Sequence, residues 1–108
     1  MQTVIYAMAK PNQPSLRELI VSDLQERSLD GLHVVKRHKK GRPNGWAKIN
    51  RKDSYGCLNL DWDATSKTMV GRVVSKAGCH PGELVAAFIA YLLRWHGRRI
   101  CMVTVRSI

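Results

Sequence analysis

The sequence predicts an α+β fold: a mainly antiparallel sheet in the order β-α-β-β-β-β-α-β, with two helices packed on one of its faces. Three observations predict it. Four strand-length segments separated by turn chemistry fill residues 32–75, and apolar residues at helical spacing lie on either side of that block. A chain of 108 residues closes one core but not two, so residues 1–108 read as a single domain.

Residues 3–8 alternate Val4, Tyr6 and Met8 against Thr3, Ile5 and Ala7, a short strand ended by the loop from Pro11 to Pro14. Ser15 stands three residues before Glu18, the spacing at which a hydroxyl and a carboxylate cap each other's backbone N–H groups at a helix start. Leu16, Leu19, Ile20 and Leu24 follow on one stripe, so residues 15–27 read as an amphipathic helix, closed by Asp30-Gly31. From Leu32 the period changes to two. Segments 32–37, 46–51, 57–62 and 68–75 form an antiparallel meander across turns at 41–45, 53–56 and 63–66. Asn44-Gly45 accommodates positive φ, so a tight reversal is expected there. Gly71, inside the last of these strands, marks a bulge or a close approach of neighbours.

Cys79-His80-Pro81-Gly82-Glu83 has the chemistry of a helix start, with a proline near the first helical position and a carboxylate at the positive end of the macrodipole. Leu84, Phe88, Tyr91, Leu92 and Trp95 mark one face, and Val85, Ile89 and Leu93 add a second apolar strip. So broad a surface predicts a helix buried on most sides, or one whose second face meets another subunit. Gly97 is expected to end it in a left-handed cap. Residues 100–105 are apolar on both faces apart from Thr104, as in an interior strand. The helix, meander, helix portion, about half of the chain, is similar in element order to the double-stranded-RNA-binding domain, α-β-β-β-α. An extra strand, the continuation past the second helix and the missing lysine cluster in residues 75–80 depart from that pattern, so the similarity is one of fold and carries no residues with it.

Hydrophobic residues make up 44% of the chain and charged residues 24%, which excludes a disordered composition. The longest apolar run, residues 84–93, is half the ~20 residues that a spanning helix needs, so no membrane partner is expected. Met1 to Met8 has no secretory pattern, which makes the cytoplasm the expected address. Cys57, Cys79 and Cys101 are odd in number and form no C-x-x-C pair, so reduced, buried thiols are expected.

The charge carries the functional reading. The net charge is +10, and residues 36–52 hold Lys36, Arg37, Lys39, Lys40, Arg42, Lys48, Arg51 and Lys52 with no acidic residue among them. Like charges at that density repel one another, and what they attract is polyanionic, most often phosphate. The expected partner is nucleic acid, DNA or RNA, held mainly by its backbone on those eight residues, with Trp46 available to stack on a base and Arg72 as an extension. The competing reading of Trp46 is a core residue. The helix at 15–27 has a face of mixed charge and the second helix is too apolar to lie in a major groove, whereas a two-stranded ribbon over residues 32–51 has the shape to enter one.

The chain reads as a binding module without catalysis, cofactor or metal. A second reading is a protein-interaction module whose basic face docks on an acidic protein. A third is a small-ligand or enzyme domain with a pocket between helices and sheet. A homodimer fits all three, through edge pairing of residues 3–8 or through the second face of 84–95. Asp61 and Asp63 are two apart on a strand and could hold Mg²⁺, but Asp63 also suits the start of a turn and Asp61 a pairing with a lysine. Cys79, His80, His96 and Cys101 are zinc-type ligands at a spacing that matches no paired-ligand knuckle. His96 has a simpler reading, a cation at the negative end of a helix.

Overall fold

The computed structural model describes residues 3–52, 56–74 and 82–107. They form β1 (Thr3–Ala9), α1 (Leu16–Glu26), β2 (Leu32–Lys36), β3 (Ala47–Arg51), β4 (Cys57–Asp63), β5 (Thr68–Val74), α2 (Gly82–His96), a 3₁₀ turn (Gly97–Arg99) and β6 (Ile100–Ser107). The six strands make one antiparallel sheet in the order β2-β3-β4-β5-β1-β6. The fold is therefore α+β, as the sequence predicts, and the meander from β2 to β5 is continuous.

Strand alternation divides the sheet into two unlike faces. Ile5, Ala7, Ala9, Leu32, Ala47, Ile49, Leu58, Leu60, Met69 and Val73 form one cluster with Leu16, Ile20, Val21 and Leu24 of α1 and Leu84, Phe88, Tyr91 and Leu92 of α2. Both helices thus lie on one side. Each fully buried Leu, Ile or Phe contributes ~1.5–3 kcal/mol over an exposed one, so the inner faces of the helices hold them rather than helix propensity. Among the described residues, no helix packs on the other set of alternating residues.

Local chemistry explains the boundaries. Ser15 Oγ accepts from Glu18 N at 3.3 Å, capping α1, and the helix closes at an extended Arg27. Asp30 and Gly31, with φ of +54° and +79°, do not end the helix. They form a two-residue reversal into β2, with Leu32 N donating to Leu29 O at 2.8 Å and Leu29 N to Leu32 O at 3.3 Å. Gly71 is a close approach and not a bulge: register on both sides is regular, and a Cβ there would meet Leu58 Cδ1 at 3.0 Å.

Four expectations are corrected. Residues 100–105 are not interior: β6 is the outermost strand, with Met102 and Val105 half-exposed. Conversely β1 is interior, flanked by β5 and β6, so its hydrogen bonds are already used and it has no free edge for a second copy. Gly97 keeps negative φ and opens the 3₁₀ turn instead of capping α2. Cys101 is exposed, its thiol donating to Met8 O at 3.3 Å, and Cys57 is half-buried. The second strip of α2 is only partly covered, with Leu93 exposed and Trp95 lying under the Arg27 guanidinium at 5.5 Å. No helix among the described residues is long and apolar enough to cross a membrane. Cys79, His80 and Pro81 lie outside the described residues.

Candidate functional site

The ten residues between β2 and β3 are exposed from Arg37 to Asn44 and include Arg37, Lys39, Lys40 and Arg42. Two turns shape them: Arg42 N donates to Lys39 O at 3.0 Å, and Trp46 N to Pro43 O at 3.0 Å. Positive φ falls on Gly41, at +85°, and not on the Asn44-Gly45 pair. The expected tight reversal is thus a longer, folded loop. Gly45 matters for another reason. A Cβ there would sit 2.7 Å from Trp62 O, because the loop's end is pressed against β4, where Trp62 N donates to Gly45 O at 3.1 Å.

Arg17 of α1 holds both ends of this loop. Its side chain is buried, and its Nε and Nη2 donate to Trp46 O at 3.2 and 2.9 Å. Nη2 also donates to Arg37 O, and Nη1 pairs with the Glu18 carboxylate. A planar guanidinium is suited to bridging two carbonyls that a loop brings together. In sequence Arg17 belongs to the mixed-charge face of the helix at 15–27, which gives no sign of this role. The only signal was its place beside Leu16, within the first turn of an amphipathic helix.

Trp46 is 2% exposed, and the Arg42 guanidinium lies 5.8 Å from its ring centroid. The ring is therefore withdrawn from the surface, which corrects the expectation that it stacks on a base. Arg51 has turned to the helix side, where its Nη1 is 3.7 Å from Glu83 Oε2 across the start of α2. Lys52 is exposed beyond the end of β3.

The remaining cations are brought together by strand register. Lys36 stands opposite Lys48, Lys48 opposite Asn59, Asn59 opposite Arg72, Arg72 opposite Val4, and Val4 opposite Arg106. These six positions form one row across all six strands, on the face without helices and about 24 Å long at the usual strand spacing of about 4.8 Å. Lys36, Arg72 and Arg106 are exposed and Lys48 is half-buried. Among the described residues, none of these four pairs with a carboxylate. Directly opposed like charges such as Lys36 and Lys48 oppose pairing of their strands. The loop continues from the β2 end of the row.

Most of the acidic residues lie off this face. Glu18, Asp23, Glu26, Asp30 and Glu83, five of the eight acidic residues, lie on the helices or the turn after α1. Asp61 and Asp63 lie on β4 two and four residues along from Asn59, on the same helix-free face and opposite Val70 and Thr68. Asp63 Oδ1 accepts from Thr65 N at 2.9 Å and Ser66 N at 3.5 Å, which is the turn reading of that residue. No three His, Cys, Asp or Glu side chains gather as metal ligands among the described residues.

His96 is not an exposed cation at a helix end. It is buried, with Nε2 2.9 Å from Asp23 Oδ2 and 3.0 Å from the Tyr91 hydroxyl, which donates to the same Asp23 oxygen at 3.0 Å. Burial pushes the imidazole pKa below its ordinary 6.5, against the opposing pull of Asp23. The neutral tautomer protonated on Nε2 fits, since Nδ1 has no partner and need not donate. Burial, with the Asp23 hydrogen bond and charge, also raises the Tyr91 pKa. This cluster ties α1 to α2, and it belongs to the helix side of the molecule.

Compared with known proteins, the chain matches no family model, no curated protein sequence and no solved structure.

Proposed function

We propose that this protein binds nucleic acid through the sugar-phosphate backbone, without catalysis, using the clamped loop and the cation row on the helix-free face. The observation that carries the reading is the register that sets Lys36, Lys48, Arg72 and Arg106 in one line across the sheet, with no carboxylate paired to any of them among the described residues. Aligned, unneutralised cations over about 24 Å match the repeating charge of a phosphate chain better than the single charge of a small ligand. Among the described residues, no helix covers this face of the sheet. Of the residues expected from sequence, Lys36, Arg37, Lys39, Lys40, Arg42, Lys48 and Arg72 form this surface, Arg106 joins them, and Trp46 and Arg51 do not.

The test is fluorescence anisotropy with labelled random-sequence single- and double-stranded DNA and RNA at roughly 50 and 200 mM salt, since phosphate contacts make affinity fall steeply with salt. Binding at the lower salt, lost at the higher and weakened by the triple change Lys39→Ala, Lys40→Ala and Arg42→Ala, supports the reading. Absence of binding to all four at the lower salt overturns it and directs the basic surface to an acidic protein.

A further inference from the structure

We infer that the nucleic acid bound here is single-stranded, and that one of its bases lies in the shallow groove lined by Tyr6, Met8, Thr68, Met102, Thr104 and Arg106. The inference rests on the backbone-binding reading above and assigns the site its substrate class. Three observations lead to it.

The first is position. Tyr6 stands opposite Thr104, and Met8 lies between Thr68 on β5 and Met102 on β6. All six lining residues are on the face without helices. Arg106 is a member of the cation row and a wall of the groove at once, so a phosphate held by Arg106 would leave its own nucleotide beside Tyr6 and the two methionines.

The second is chemistry. The groove, about 340 Å³, falls at the small end of ligand-binding volumes. Its lining is an aromatic ring, two thioethers, two hydroxyls and a guanidinium. Ring faces and polarisable methionine sulfur suit the flat face of a base whatever its identity, and hydroxyls can meet its polar edge. Met8 and Met102 are 37% and 52% exposed, apolar surface in a place where neither supports the core.

The third is accessibility. In a duplex the bases are stacked and paired, and only an unstacked base can lie flat on a protein side chain. A sheet face with a cation row alongside an aromatic, apolar groove is arranged for phosphates on one line and bases on the next. A duplex would use the row alone.

The experiment compares four probes against the intact chain by competition: oligothymidylate and oligouridylate of about ten nucleotides, the matching abasic oligomer, and inorganic polyphosphate of equal charge. A self-complementary duplex serves as a fifth. The single strands are expected to bind about 5- to 100-fold more tightly than the abasic oligomer, the range seen when one base loses its aromatic platform. The preferred strand, ribose or deoxyribose, identifies the source. Tyr6→Leu, and separately Met102→Ser at an exposed position that cannot threaten the core, should remove most of that difference while polyphosphate affinity stays unchanged. Equal affinity for base-bearing and abasic strands with polyphosphate still bound overturns the groove and leaves the backbone reading intact, as does a preference for the duplex. Failure to bind polyphosphate or any strand overturns the backbone reading itself, and the groove with it.

Discussion

Replacing Arg17 with leucine should destabilise the fold by about 2–4 kcal/mol, even though Arg17 lies in a helix and touches no ligand. The figure follows from its partners. The guanidinium, 1% exposed, supplies two hydrogen bonds to Trp46 O and one to Arg37 O, the carbonyls at the two ends of the basic loop. Removing a charged donor from a buried acceptor costs about 1–3 kcal/mol for each acceptor left behind, and two carbonyls are affected. Part of this is offset because leucine no longer requires a buried charge. With a urea m-value of about 1–2 kcal/mol/M, the expected fall in midpoint is about 1–4 M. Urea unfolding followed by tryptophan fluorescence reads it directly. Arg17→Lys is the discriminating control: it keeps the charge but cannot bridge two carbonyls, so it should recover less than half of the loss. A leucine variant within about 0.5 kcal/mol of the parent would refute the clamp.

Three further outcomes follow from the geometry. Gly45→Ala brings a Cβ to 2.7 Å from Trp62 O, a backbone atom that cannot swing away, and should cost about 1–3 kcal/mol in the same urea assay, with an unchanged midpoint counting against the close approach. Because burial lowers the His96 pKa in the fold, protons bind the unfolded chain preferentially, so stability should be level above the ordinary 6.5 and fall below it until the folded-state pKa is reached. Urea midpoints from pH 8 to about 5 would show that fall, at most about 1.4 kcal/mol per pH unit, and His96→Gln should flatten it; a parent that gains stability on acidification would contradict the assignment. The loop triple change Lys39→Ala, Lys40→Ala and Arg42→Ala removes only exposed side chains, so it should leave the urea midpoint within about 0.5 kcal/mol while weakening nucleic-acid binding several-fold.

The fold class was legible because its signals are local. Ser15 and Glu18 at capping distance, the change of period at Leu32 and the turn residues between strands each act within a few positions, and each element formed close to its expected bounds. What the sequence obscured was neighbourhood. β6 is apolar on both sides, which reads as interior, yet β1 is the strand that takes the interior place because it pairs with both β5 and β6. Two Xaa-Gly pairs, Asp30-Gly31 and Asn44-Gly45, look alike in sequence, but only the first has positive φ at both residues, since the second is fixed by its approach to Trp62.

The site was half legible for the same reason. A run of cations shows in sequence, but a row across six strands does not, because its members are set by register between segments far apart in the chain. Arg72 was within reach as an isolated cation on a strand. Arg106 was not, being separated from the run by more than fifty residues. Trp46 and Arg51 show the converse: both lie within the basic run, and packing removes them from its surface. Arg17 and His96 reverse the usual rule for charged side chains, and only tertiary partners account for their burial.

The most direct test of the proposed surface is the salt dependence of nucleic-acid affinity in the parent and in a variant carrying Lys48→Ala, Arg72→Ala and Arg106→Ala, three members of the row on three different strands. Each phosphate contact contributes about 0.7–0.9 to the slope of log K against log salt. The account predicts that the variant folds normally and that its slope is shallower by about 2–3, and an unchanged slope would contradict the cation row as the binding surface.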